Sequence, residues 1–428
     1  MHGVDPLAEW RGCRRQSSSS YPSPRRLARA AVSQGHDYVA LLESGGGFQE
    51  RARYSIVGIG AGRAVEERSP GRVYRVLGEL GGRCARLPCR EMAFIAVSYE
   101  AVAGAEPWLE PKLGRHEWPL LAGFTPETLV VYDHAAGRVV WCGPEPVSVE
   151  GRLPGFRLNG ILYETGRSDF MDWVGEAREL IQAGEAFQIV LSRVKEYSFQ
   201  GEPLVAYERL ASINPSPYMF YLRIDGRIVA GASPELLVKL DSGVLETHPI
   251  AGTRPRGDGE EDIRLEEELL SDEKELAEHI MLIDLARNDL GSIAVPGTVR
   301  VPVVMDVEKY SHVQHIVSRV EAQARPGLGF HDALKHTLPA GTVSGAPKPR
   351  AMEIIAMLED KPRGPYAGGV GVAAGKAGEA AITIRSFWTT GSGLEIRAGA
   401  GIVYDSKPER EYMETEYKLE AIKRALGG

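Results

Sequence analysis

Cysteine is scarce. The 428 residues hold four, Cys13, Cys84, Cys89 and Cys142, and no two form a CxxC pair. That excludes a zinc ribbon and argues against a disulfide framework, so reduced thiols in a cytoplasmic protein are expected. Long apolar runs are missing too. No stretch reaches the roughly 18 residues a membrane span needs, and Met1–Arg15 lacks the apolar core of a secretory signal, so no membrane is expected as a partner. There is no basic excess: 50 basic and 58 acidic side chains leave a net charge of −8, which speaks against nucleic acid as a partner. Asparagine occurs only three times, at 159, 214 and 288, a scarcity that fits adaptation to heat. Several chemical signatures are absent as well: no GxSxG elbow, no Walker A loop and no GxGxxG.

The composition that is present, 43% hydrophobic and 25% charged, is that of a folded protein with a sizeable core. Residues 1–22 read as loose, and Ser23-Pro24 opens a short helix that stops at Gly35. Strand-like runs follow at Tyr38–Leu42, Tyr54–Ile59 and Met92–Tyr99, and Ala135-Ala136-Gly137 turns a hairpin between Thr128–Tyr132 and Arg138–Trp141. The Pro- and Gly-rich stretch 143–160 separates two lobes, 1–150 and 165–428, expected to interleave in space. In the second lobe Ser168 caps a helix, Phe187–Val194 is a strand, and hairpins turn at Asp225-Gly226 and Asp241-Ser242-Gly243. Asp262–Asp289 reads as one long helix closed by Gly291. Ala380–Trp388 reads as one strand along which Arg385 points inward. Tight turns between paired strands, with helices interspersed, argue for an α+β fold of mostly antiparallel sheet in a two-lobed sandwich.

Two carboxylate pairs stand out. Glu275 and Glu278 share a face of the long helix, and Glu411 and Glu414 repeat the spacing on the last. If the two helices face each other, four carboxylates converge and a hard cation such as Mg²⁺ relieves their repulsion. Glu pairs on helices are commonly solvated surface, but the apolar run after Glu278 argues that this helix is largely buried. The loop Gly341–Lys348 precedes a helix and can cradle an anion. Gly399 and Gly401 let a ligand approach a strand backbone. His312 and His315 form an HxxH; His315 serves either as a base or as a packed imidazole. Arg385 in an apolar run invites an anionic partner.

Taken together, Pro249–Gly257 (PIAGTRPRG), Glu278–Asp289 (EHIMLIDLARND), Leu338–Lys348 (LPAGTVSGAPK) and Ala398–Val403 (AGAGIV) resemble the motifs of chorismate-utilising enzymes. The resemblance is strong over residues 165–425 and weak before them. Two positions distinguish its branches. Members that attack chorismate with their own lysine carry it where this chain has Ala251, and members that activate water carry a lysine where it has Gln188. Both departures imply ammonia as nucleophile, and hence anthranilate as product; formation of 4-amino-4-deoxychorismate is the alternative, and a degenerate tryptophan sensor a third reading.

The resemblance also implies roles. Glu278 and Glu414, with Glu275 and Glu411, would hold Mg²⁺ on the ring carboxylate. Ala251, Gly252, Thr253, Thr342, Gly399 and Gly401 would line the ring side. Tyr366 and Arg385 would hold the enolpyruvyl carboxylate, and Lys418 would balance the acidic cluster. His315 would take the C2 proton, and His248 would protonate the leaving hydroxyl. Leu42, Glu43, Ser44, Arg53, Pro217, Tyr218, Met219 and Phe220 resemble a tryptophan feedback site. The chain shows no glutaminase motif, so a separate glutamine amidotransferase subunit is the expected source of ammonia.

Overall fold

The computed structural model describes residues 13–45, 53–81, 92–146, 151–309 and 313–427. Cys84, Cys89 and His312 lie outside them. Every strand pairing among the described residues is antiparallel, and the strands form two sheets, of twelve and ten. The fold is α+β, as the turn-linked strand pattern predicts.

Both lobes contribute to both sheets. In the larger sheet Tyr38–Glu43, from the first lobe, pairs with Tyr218–Ile224 of the second. In the smaller one Met92–Val97 pairs with Gly369–Ala374. The main apolar core lies between the sheets, where Phe94, Phe124, Leu222, Val229, Val370 and Trp388 meet. A second core packs the helices Pro24–Ser33, Pro203–Ile213 and Pro408–Ala425 on the outer face of the larger sheet. A third seats Arg167–Gln182 and Lys348–Leu358 on the strands that carry Gln188 and Gly401.

The chain changes sheets at two points, the second inside a run expected to be a single strand. Arg227–Ser233 belongs to the larger sheet and Leu236–Asp241 to the smaller, so the chain crosses at Pro234-Glu235. The Ala380–Trp388 run is likewise divided: Ala377–Ile382 lies in the smaller sheet and Ser386–Thr389 in the larger. Arg385 sits at that second crossing with φ 50°, so it does not alternate along a strand. The crossings are joined by a hydrogen bond from Ile382 N to Glu235 O (3.0 Å).

Other expectations are also corrected. The long helix is two, Glu260–Ser271 and Glu273–Gly291, because Asp272 is extended and its carboxylate accepts from the N–H groups of Lys274 and Glu275. Such a cap competes with helix continuation. The second helix is half-buried rather than largely buried: Leu282, Ile283 and Leu290 face the core, while Ile280 is 52% exposed. Gly166, not Ser168, is the N-cap of Arg167–Gln182. Arg14–Ser17 is not loose but an edge strand on Arg138–Cys142. That pairing joins Cys13 to Cys142 in a disulfide with Cα atoms 4.6 Å apart. Local spacing could not reveal the pair, because strand register brings together residues separated by 129 in sequence.

Candidate active site

The site gathers where the strands cross between sheets. The strand Gln188–Gln200 pairs with Leu394–Ile402 in a register that sets Val190 opposite Gly401 and Ser192 opposite Gly399. Its other edge takes the short strand Gly345–Ala346, which places the Gly-rich loop beside Gln188. Gly399 and Gly401 are bare for a steric reason. A Cβ on Gly399 would lie 2.6 Å from Tyr366 Oη, and one on Gly401 would lie 2.7 Å from Gln188 Nε2. Tyr366 is buried, and burial pushes its phenol up to about 12, so it stays protonated.

Gln188 connects the strand to the first acidic helix. Its Nε2 donates to Glu278 Oε1 (2.8 Å), while its buried Oε1 has no hydrogen-bond partner. On the other side Lys418 Nζ donates to Gly399 O (2.8 Å) and to Glu414 Oε1 (2.7 Å). The two acidic pairs thus approach the same strand segment, 399–401, through Gln188 and through Lys418. Burial first and then Glu278 raise the Glu275 carboxyl; burial, with Glu414 adding, raises Glu411. Arg254 answers Glu275 at 3.4 Å. Among the described residues no three acidic, His or Cys side chains are close enough to form a metal-binding group. Hard oxygen donors in two mutually repelling pairs still suit Mg²⁺, which takes one or two carboxylates and completes its shell with water and substrate oxygens.

His315 is held in one tautomer. Its Nδ1 lies 3.0 Å from Gly252 O and 2.9 Å from Thr253 Oγ1. The carbonyl can only accept, so Nδ1 carries the proton and Nε2 the lone pair. A bulge between Ala251 and Thr253, with Gly252 at φ 64°, sets this contact. Burial, and then the Arg385 charge, push His315 down to about 4, so the ring is neutral near pH 7.

One residue of the site escapes the sequence reading. Glu235, at the first sheet crossing, is 6% exposed and its Oε1 accepts from Thr342 Oγ1 (2.9 Å). Burial pushes its carboxyl up to about 8, against Thr342, the Ile250 N–H and Arg385. Burial thus favours the protonated acid near pH 7. A lone carboxyl in the apolar run Ile228–Leu240 was the available signal. Arg385 acts electrostatically on both Glu235 and His315, which places the three in one group.

His248 is bonded to a carboxylate. It lies between the strands Val244–Thr247 and Ile250–Pro255, and its Nε2 bonds Glu246 (2.6 Å), while its neighbours Thr247 and Pro249 line a cavity with Glu235 and Thr342. The proposed regulatory segments do meet: Leu42 pairs with Phe220 and Glu43 with Met219, and Gly45 N donates to Ser216 O (2.8 Å). Glu43 accepts from Arg25 and from Tyr207, both at 2.7 Å, Pro217 and Tyr218 follow Ser216 into the paired strand, and Arg53 turns to Asp133. Three strand spacings, roughly 14 Å, separate this seam from Gly399 within one sheet.

A buried acid, a neutral imidazole and a guanidinium thus form one group, and the paired carboxylates approach the bare strand backbone at 399–401. The chain belongs to the family of chorismate binding enzymes, whose model matches residues 39–424. Anthranilate synthase component 1 of Aeropyrum pernix is 57% identical over 99% of this chain and 98% of its own. That of Saccharolobus solfataricus is 44% identical over 96% and 98%. Among solved structures, anthranilate synthase component I of Streptococcus pneumoniae is 32% identical, covers 87% of this chain and 92% of its own, and superposes with a TM-score of 0.74. The menaquinone-specific isochorismate synthase of Escherichia coli shares the fold, with TM-score 0.77 at 20% identity over 97% of this chain and 94% of its own.

Proposed function

We propose that the protein is the synthase subunit that converts chorismate and ammonia to anthranilate and pyruvate, the first committed step toward tryptophan. The observation that carries this reading is the nucleophile side of the site. Gln188 and Ala251 stand where a lysine would activate water or attack the ring, and Lys418 is engaged with Gly399 O and Glu414. The nucleophile therefore arrives as free ammonia, with a glutamine amidotransferase subunit as its source. Relatives named anthranilate synthase component 1, among them that of Aeropyrum pernix at 57% identity over 99% of this chain, support the same reading.

Glu235 donates its proton to the C4 hydroxyl as ammonia adds at C2, so water leaves in place of hydroxide. His315 then takes the C2 proton through Nε2, the C2–H electrons form the ring double bond as the C3–oxygen bond breaks, and the enolate of pyruvate leaves and is protonated at its methylene carbon as the ring aromatises. Arg385 and Tyr366 hold the enolpyruvyl carboxylate, and Arg385 also keeps His315 neutral and ready to accept. Glu278 and Glu414, with Glu275 and Glu411 behind them, would hold Mg²⁺ against the ring carboxylate. The ion supplies positive charge that draws electron density from the ring. Tryptophan binding at the seam of Leu42–Ser44 with Pro217–Phe220 would inhibit by acting on the sheet shared with Gly399.

The test is the product. Fluorescent anthranilate should form from chorismate, ammonium and Mg²⁺. A product that keeps the enolpyruvyl group would assign the chain to 4-amino-4-deoxychorismate formation, and folded protein that does not bind chorismate would mark it as a sensor. Micromolar tryptophan should inhibit the wild type, and a Ser44 variant should lose that response.

A further inference from the structure

Glu235 gives up a proton in every turnover yet has almost no contact with bulk water, being 6% exposed. Behind it lies a cavity of ≈ 20 Å³ between the helix Glu273–Gly291 and the Gly-rich loop. Glu235, Thr342 and Asp289 all line it, together with the apolar Leu282, Leu285 and Ala286. The space is enough for a water, and polar groups are there to hold one. Thr247 and Thr337 also line it, but their hydroxyls donate to the carbonyls of Leu237 (2.9 Å) and Ala333 (3.0 Å), so they can only accept from a water. The remaining groups able to pass a proton are the carboxyls of Glu235 and Asp289. The Asp289 side chain is 16% exposed, which gives the cavity lining contact with solvent, and its Oδ2 accepts from Lys348 Nζ at 2.6 Å.

We infer that Asp289 and the cavity form a proton relay that recharges Glu235 after each turnover. The relay rests on Glu235 being the acid of the reaction. An Asp289 carboxyl proton passes to the cavity water while that water passes one to Glu235. The water is unchanged, and Asp289 is reprotonated from solvent, Lys348 remaining its charged hydrogen-bond partner. Burial raises the Asp289 carboxyl to about 6 against the pull of Lys348, below Glu235, so transfer inward runs downhill. The charged groups bearing on the pair are Lys348 at the outer end and Arg385 at the inner.

The experiment uses steady-state kinetics in H₂O and D₂O with chorismate and ammonium as substrates. Asp289→Asn keeps the size and an acceptor for Lys348 but carries no transferable acid proton. Its kcat should fall about tenfold or more with KM unchanged, and the H₂O-to-D₂O ratio of kcat should rise as proton return becomes limiting. Asp289→Glu should restore both. Ala286→Leu, which fills the cavity and leaves Asp289 intact, should reproduce the loss. A folded Asp289→Asn enzyme with wild-type kcat and isotope ratio overturns the relay, as does a loss seen only as raised KM and lowered melting temperature. Glu235→Gln keeps the two failures apart. If it is inactive while Asp289→Asn is normal, only the relay falls; if it is active, the acid assignment falls and the relay with it.

Discussion

Replacing Glu235 by glutamine should stabilise the protein at alkaline pH while abolishing its activity. The carboxyl titrates at 4.5 when exposed and at about 8 in the fold, raised by burial. Between those values the native state holds a proton that the unfolded chain has lost, so the group's contribution falls as pH rises from 4.5 to 8 and is flat above. The slope is about 1.4 kcal/mol per pH unit, so wild type should lose about 3 kcal/mol relative to the variant between pH 6 and pH 9. Glutamine carries no charge at either pH and keeps an acceptor for Thr342. Urea unfolding of both proteins at the two pH values isolates the residue, because other titrating groups cancel in the difference. Wild-type kcat/KM should show an alkaline limb near pH 8, and the variant should lose activity at least about 100-fold. A wild type–variant stability difference that does not change between pH 6 and pH 9 would refute the raised carboxyl and with it the acid role.

Gly401→Ala should cost activity more than stability. The new Cβ lies 2.7 Å from Gln188 Nε2, where ordinary contact begins near 3.4 Å, so the amide must leave Glu278; about 1–3 kcal/mol of charge-assisted hydrogen bonding is lost, read as a 5- to 150-fold drop in kcat/KM. Glu278→Gln and Glu414→Gln should each remove at least about 99% of the activity that Mg²⁺ confers, with little change in melting temperature; a variant that keeps full Mg²⁺ activation would exclude that residue as a ligand. Reductant, or Cys13→Ser, should destabilise by up to about 5 kcal/mol through the freed 129-residue loop, seen as a lower melting temperature, and an unchanged midpoint would show that the pair contributes nothing in solution.

The strands and their turns were legible because their signals are local. Asp225-Gly226 and Ser242-Gly243 mark hairpins, and alternation marks the buried faces. The sheet crossings were not: the break at Pro234 does not tell that the next strand joins the other sheet, and Thr383–Arg385 carries no break signal strong enough to interrupt an apolar run. Glu235 was lost for that reason: its significance comes from burial at a crossing, which only the tertiary structure supplies. His248 illustrates the converse. It lies beside the PIAGT motif in sequence, but its hydrogen bond to Glu246 could not be read from that position. The Cys13–Cys142 link is a matter of register between distant strands. The two acidic pairs were legible as helical spacing, whereas their connection through Gln188 and Lys418 depends on how strand 394–402 lies between them.

The central claim, that free ammonia attacks chorismate in a site whose own walls supply no nucleophile, is tested most directly by mass analysis of the product formed from chorismate, ammonium and Mg²⁺. Anthranilate with one equivalent of pyruvate is the expected result. Isochorismate, formed by water, or 4-amino-4-deoxychorismate, with its enolpyruvyl group intact, would contradict it.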